Sequence, residues 1–428
     1  MSFDGTGFGR RRGLALLALA ALGGAGAAGW RAAASTEAEP GLCDDRCGGL
    51  VAGWSETAEV VLARLPPEQA GRALAMMHLA MHDAVNAALP RFTTYALAGR
   101  DGGADAAVAA AAAAHDLLLA LVPAEAERLA AALAESLAEA VPEAEAARGR
   151  RLGADAARAI LAARAGDGAD RRIETARATH LGAWRPTGGT AAMDAAHWAR
   201  VRPFALRSPS QFRVPAPPSV ESAAYAQAVA EVQALGGGRS NRRTAEQAAI
   251  ARAWAGAPEI AWNRIARGVA RERALDLWDS ARLFALLNVA LADARIAAWE
   301  SKLHHDLWRP ETAIRLARDD FNPRTTADPG WTPLLPVPAA PAHASAHAAQ
   351  AAAAALVLGR LLGDGVPFTL DGRGFTGFPD AALEAAESRI LAGAQFRFGV
   401  ADGLDLGEQV GRTALQGRLR PLTPRSTA

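Results

Sequence analysis

The chain is poor in the residues that would place it in several functional classes. In 428 residues it has two cysteines and two tyrosines, and 46 basic side chains stand against 45 acidic ones. Nothing in a net charge of +1 suggests a nucleic-acid or anionic-membrane partner, since counterion release needs a concentrated basic face. Any anion site must be local. β-Branched residues are sparse and scattered, so extensive sheet is not expected. The apolar run at 14–28 is 15 residues long, short of the roughly 20 that a membrane-spanning helix needs. Cys43 and Cys47, in a C-x3-C spacing, are too few for zinc without ligands from elsewhere, and a small local disulfide is the preferred reading.

What the chain does have is alanine, leucine and arginine. Alanine and leucine are strong helix formers, and with 50% apolar and 21% charged residues the composition is that of a globular, nearly all-α protein. The first 34 residues read as an export signal: Arg10, Arg11 and Arg12 open it, the apolar run follows, and Ala32-Ala33-Ala34 offers a cleavage site. The paired arginines suit the twin-arginine route, although its preferred Phe is absent. An uncleaved basic tail is the alternative. Export, to a periplasmic or extracellular location, agrees with a disulfide between Cys43 and Cys47.

Helical periodicity over 57–88 predicts a helix that Pro90 stops, and two more follow at 105–121 and 125–140. Turn formers crowd 179–218, which reads as a long irregular connection. Helical patterning resumes at 222 and runs in pieces to 317; a proline-rich loop at 329–341 precedes a helix at 342–362. A polar, glycine-rich stretch at 363–380 leads to two last helices on either side of Gly393. Trp184, Trp254, Trp262, Trp278 and Trp299 read as packing residues rather than a ligand cage. These boundaries divide the chain into 1–34, a helical region at 35–220 and a second at 221–428.

Three segments in the second region together suggest an oxyanion cage. Lys302 and Arg309 are two helical turns apart, so both are expected on nearly one helix face. A point charge and a planar fork suit a tetrahedral oxyanion. The flanking Leu303, Leu307 and Trp308 are apolar, and a buried pair of cations needs an anion to balance it. Ser345, Ala346 and His347 stand directly before an alanine-rich helix, where backbone N–H groups and a hydroxyl can bind an anion. His347 is suited to passing protons to that anion. Arg389 brings another guanidinium, and Gly393 permits close backbone approach before Gln395.

The order Lys302…Arg309-Pro310, then Ala344-Ser345-Ala346-His347, then Ser388-Arg389…Gly393-Ala394-Gln395 resembles the signature of the superfamily of vanadium-dependent haloperoxidases, bacterial acid phosphatases and lipid phosphatases. The flanks at 293–315, 331–336 and 396–398, and the upstream stretches at 72–88 and 198–212, are similar to its exported, haloperoxidase-like bacterial branch. The resemblance implies an all-α fold of two helical bundles packed as one unit. It implies that Lys302, Arg309 and Arg389 hold the oxygens of vanadate or phosphate, helped by Ser345 and the backbone at Ala346, with His347 as acid–base residue. The family's covalent histidine falls on Gln395. An amide nitrogen has no lone pair for attack or coordination, so this site cannot form a phosphohistidine or a metal–nitrogen bond. Ala344 and Ala346 also stand where the family has Pro and Gly. His305, about 60° around a helix from Lys302, and His343 are the histidines that could compensate.

Two other readings stand beside this one. His78 and His82, one helical turn apart, could bind a metal in a helical-bundle enzyme, although the Glu of a zincin motif is missing. The structural reading of the pair has them satisfied by Asp83 or backbone. Alternatively the fold persists as a non-catalytic oxyanion-binding or interaction protein, since function lives in the site.

Overall fold

Prolines and capping side chains set most of the helix boundaries, and alanine fills what lies between. A computed structural model describes residues 46–137, 141–173, 179–187 and 193–422. The expected export signal, Cys43, the side chain of Cys47 and the expected helix end at 140 lie outside the described residues.

The helix expected over 57–88 is two helices, α1 (Arg46–Val61) and α2 (Pro67–Ala88). Pro66 takes an extended ψ of 142° between them, and Pro67 starts α2 where its missing N–H costs nothing. Asp105 caps α3 (Ala106–Leu121), accepting from the Val108 N–H at 2.8 Å. After α4 (Ala126–Ser136) comes α5 (Glu143–Arg164), a helix that the sequence reading misses. Its buried stripe includes Ala146, Gly149, Gly153, Ala156 and Ala157, small residues that give little apolar periodicity. That smallness lets α5 lie against α3: a Cβ at Gly153 would come within 2.4 Å of the Ala109 carbonyl.

The described residues of the connection at 179–218 are irregular as expected, with one short helical turn among them, Ala196–Arg200. Asp293 holds it down, accepting from the N–H groups of Phe204, Ala205 and Leu206 at 2.6, 2.7 and 2.9 Å. Asp83 does the same for Tyr95, Ala96 and Leu97. Then follow α6 (Ala223–Gly236), α7 (Ala245–Ala253), α8 (Pro258–Glu272), α9 (Leu277–His305), α10 (Pro310–Arg315) and α11 (Ala346–Leu362). The glycine-rich stretch holds a small antiparallel hairpin, β1 (Phe368–Leu370) with β2 (Arg373–Phe375), before α12 (Phe378–Leu391) and α13 (Arg397–Gly417).

Two groups of helices form the body. In one, α2, α3 and α5 pack together; in the other, α9, α11, α12 and α13 do. The 29-residue α9 is buried nearly all round and packs on both α2 and α11, as an element at the centre must. One apolar core therefore runs from Val51 to Leu419. The five named tryptophans are all buried. On α13, Gly403 and Gly407 bring that backbone onto α11; Cβ atoms there would meet the carbonyls of Ser345 and Ala349 at 2.6 and 2.0 Å.

His78 belongs to this core. It is fully buried against Phe284, with ring centroids 5.1 Å apart and neither ring nitrogen partnered. Burial, then the charge of Arg267, pushes it down to about 3. The folded protein thus keeps this imidazole neutral, whereas the unfolded chain protonates it near the ordinary value of about 6.5. Its contribution is complete above that pH and is lost as the pH falls below it. His78→Phe should therefore gain on the natural chain by about 1.4 kcal/mol per pH unit on acidification below 6.5. Denaturant melts at pH 7 and 4.5 measure that difference; a gap independent of pH would contradict a neutral buried His78.

Candidate oxyanion site

The site is assembled where α9 ends. Lys302 lies in its last turn, and Asp306 then takes a left-handed φ of 46° that terminates the helix. The chain runs extended through Leu307 and Trp308, beside 182–184, and Arg309 becomes the N-cap residue of α10. The two cations are therefore not on one helix face, as their spacing suggested, because the break at Asp306 intervenes. They meet through a shared partner. Lys302 Nζ donates to the carbonyls of Pro341 and Ala342 at 2.8 and 3.3 Å. Arg309 Nε donates to Ala340, and its Nη1 to Ala394 at 3.0 Å.

The 340–342 backbone leads into α11. Ser345 is its N-cap, with Oγ accepting from the Ala348 N–H at 3.3 Å, and Ala346 is half-buried at the first helical position. His347 follows in that first turn, and its Nε2 is buried without a partner. Arg389 comes from the last turn of α12. Gly393, at φ 81°, turns the chain back so that Ala394 and Gln395 both donate to the Arg389 carbonyl, at 2.9 and 3.2 Å. Only glycine suits this turn, because a Cβ there would stand 2.5 Å from the Gly236 carbonyl. Gln395 is buried, with Oε1 unpartnered.

Charge shows what was brought together. Lys302, Arg309 and Arg389 are 3%, 3% and 9% exposed. Other cations of the interior have carboxylates: buried Arg164 pairs with Asp167, and part-buried Arg295 pairs with Glu259. Among the described residues no ion pair engages these three. Burial, with the neighbouring charges of Arg309 and Arg389, holds Lys302 well below the usual ammonium range. Burial and Arg389 push Arg309 down to about 9, partly offset by Asp194, and burial pushes Arg389 down to about 10. His347 is held well below its ordinary value by burial, then by Arg389 and Arg295. The charges of these cations thus bear on one another and on His347, and among the described residues none of the three has an ion-pair partner.

A family model of the VCPO second helical-bundle domain matches residues 282–422, a span that contains Lys302, Arg309, Ser345, His347, Arg389 and Gln395. Vanadium chloroperoxidase of Curvularia inaequalis is 34% identical over 157 residues, covering 30% of this chain and 25% of that protein. The chain thus spans about a quarter of that relative's length. A bacterial vanadium-dependent iodoperoxidase has a similar structure, with a TM-score of 0.77 and 25% identity, covering 91% of this chain and 100% of that one. Residues 282–422 thus resemble the haloperoxidase and type 2 phosphatidic acid phosphatase superfamily. A holo bacterial vanadium-dependent chloroperoxidase shares the fold at 18% identity and a TM-score of 0.65, over 83% of this chain and 93% of that one.

Against that superfamily the departures are local. The lysine, the two arginines, the serine and the acid–base histidine of the motif are all present as Lys302, Arg309, Arg389, Ser345 and His347. The nitrogen that would bond the central atom is not, because position 395 carries an amide. The structure does bring one further histidine to this place. His343 is fully buried, its Nε2 faces the Pro215 carbonyl at 2.9 Å, and its Nδ1 is unpartnered. Its ring stands 5.1 Å from that of His305, whose Nε2 faces Val214 at 3.0 Å. His343 lies outside the motif and was named from the sequence, with His305, as a histidine that could compensate.

The metal alternative at His78 and His82 finds no support in the geometry. Among the described residues no three His, Cys, Asp or Glu side chains cluster to hold a metal ion. His82 Nδ1 lies 3.4 Å from Asp83, which is engaged by three backbone N–H groups, and His78 has the cationic Arg267 in its surroundings. No described helix is long and apolar enough to cross a membrane.

Proposed function

We propose that this chain is an exported oxyanion-binding member of its superfamily, taking phosphate or a phosphate ester in a pocket whose covalent position is closed. The observation that carries the reading is the buried trio Lys302, Arg309 and Arg389, which has no carboxylate counterpart among the described residues. Like charges in a low-dielectric site repel strongly unless an anion joins them. Export is supported by the basic and apolar N-terminal sequence.

A bound dianion would accept charge-assisted hydrogen bonds from the two arginines and Lys302. It would also draw a proton onto His347, which its cationic neighbours otherwise disfavour. His347 would then act as an acid toward the ester oxygen. Vanadate, the group in the names of the relatives, would be held by the same donors on its oxygens; a bound vanadium centre would supply oxidation chemistry. No bond from position 395 to the central atom is available.

Isothermal calorimetry with inorganic phosphate at low salt tests the reading directly. Binding is expected for the natural chain, and Arg309→Ala should weaken it by on the order of 10- to 100-fold, about 1.5–3 kcal/mol for a hydrogen bond to a charged group. An absence of phosphate and vanadate binding by the natural chain would overturn it.

A further inference from the structure

Beside the cage lies a cradle of acceptors. Gly399 is in the first turn of α13. A Cβ built on it would stand 3.4 Å from Gln395 Oε1, 3.6 Å from His343 Nδ1 and 3.7 Å from the Ala342 carbonyl. Three acceptors thus lie within 4 Å of the place where a side chain at Gly399 would begin. Two of them, Gln395 Oε1 and His343 Nδ1, are buried without partners. The third shares its carbonyl with Lys302 Nζ at 3.3 Å, which joins the cradle to the oxyanion cage.

The tautomer of His343 follows from its surroundings. A nitrogen facing a carbonyl must carry the proton, so Nε2–H donates to Pro215 and Nδ1 holds the lone pair. The Asp402 carboxylate lies 3.6 Å from the same Nε2, placed to stabilise the ring when Nδ1 gains a proton. The other charged or titratable groups around the ring are His305 and Lys302, both on α9. Together with burial, which acts most strongly, they push His343 down to about 4, so Nδ1 is free to accept at neutral pH.

We propose that the Gly399 cradle holds a water molecule that hydrolyses a phosphate monoester directly, with His343 as its general base. The inference rests on the oxyanion reading of the pocket. A water has two protons to give, and here Gln395 Oε1 and His343 Nδ1 accept them, leaving a lone pair for phosphorus. The water oxygen forms a new P–O bond as its proton passes to His343 Nδ1. The P–O bond to the alcohol breaks, and the leaving oxygen takes its proton from His347, protonated in the presence of the dianion. His343 then returns its proton to solvent and His347 takes one back from it, so the balance is water plus monoester to alcohol plus phosphate. Gln395 in this scheme is a positioning residue that fixes the water by its oxygen.

The experiment uses the purified chain, p-nitrophenyl phosphate turnover and calorimetry with inorganic phosphate. Gly399→Ala is the decisive variant, because its Cβ makes ordinary contacts of 3.4–3.7 Å and suits a helix, yet fills the cradle. It should bind phosphate within about 2-fold of the natural chain while kcat falls by on the order of 100-fold or more, the usual range for a general base. His343→Asn should lose activity similarly. With an isotopically chiral ester, phosphorus should invert, as a single displacement requires. Phosphate binding with no turnover, with turnover unaffected by Gly399→Ala, or with retention at phosphorus would overturn the water mechanism and leave the pocket standing. Failure to bind phosphate would remove the pocket itself.

Discussion

Gln395→His is expected to open a covalent route that the natural chain lacks. Quenched during turnover of a labelled phosphate ester, the natural protein should yield no phosphorylated histidine, because an amide nitrogen offers no lone pair. The variant should accumulate an acid-labile phosphoenzyme approaching about one phosphoryl group per chain when breakdown is slow, as a nucleophilic histidine does. Gln395 already follows the Gly393 turn that fixes its backbone to the Arg389 carbonyl, so an imidazole there starts beside the cage. If Ala346 crowds the anion, combining the change with Ala346→Gly should raise the yield further. A phosphoenzyme in the natural chain would show that another residue attacks phosphorus. None in either variant, with phosphate still bound, would show that position 395 no longer faces the anion.

Arg389→Met should make the ligand-free protein more stable while removing its response to phosphate. Arg389 makes no hydrogen bond through its side chain to a described residue, and its charge bears on Lys302, Arg309 and His347. Its guanidinium is held near 10 by burial, well under its ordinary range of about 12.5. At neutral pH the group is charged in both folded and unfolded chains, so the folded state bears the whole penalty. At about 1.4 kcal/mol per pKa unit, removing it should gain roughly 3 kcal/mol. Denaturant melts with and without phosphate read both halves. Destabilisation in phosphate-free buffer would mean that Arg389 has a stabilising role and that the cage is not strained by its own charge.

Much of this was legible in the chain itself, for physical reasons that differ by element. Helices bounded by Asp105 or running to Gly363 carry their caps in the sequence, and those ends fall within a few residues of expectation. The break at 62–66 and the helix α5 did not show: periodicity runs through the first, and α5 buries mostly alanine and glycine, with only Leu152 and Ile160 as large apolar markers. The site residues were marked by type and order, since three cations among apolar neighbours need an anion wherever the chain brings them. How Lys302 and Arg309 meet was not readable, because Asp306 adopts a left-handed conformation that no local signal announces. His343 remained ambiguous because its orientation depends on the Pro215 carbonyl, 128 positions away in sequence.

The glycines of α13 carry a consequence for how such a site changes over time. Gly403 and Gly407 seat that helix on the carbonyls of Ser345 and Ala349, and the Ser345 N–H reaches the Gly399 carbonyl at 2.9 Å. The strand of chain bearing Ser345 and His347 is thereby fixed to the one following Gln395 by main chain against main chain. Side chains at the centre are passengers on that frame. A histidine can become an amide, or a glycine an alanine, and the neighbours stay where they were. Single replacements among those side chains should therefore change the chemistry on offer while leaving the main-chain frame in place.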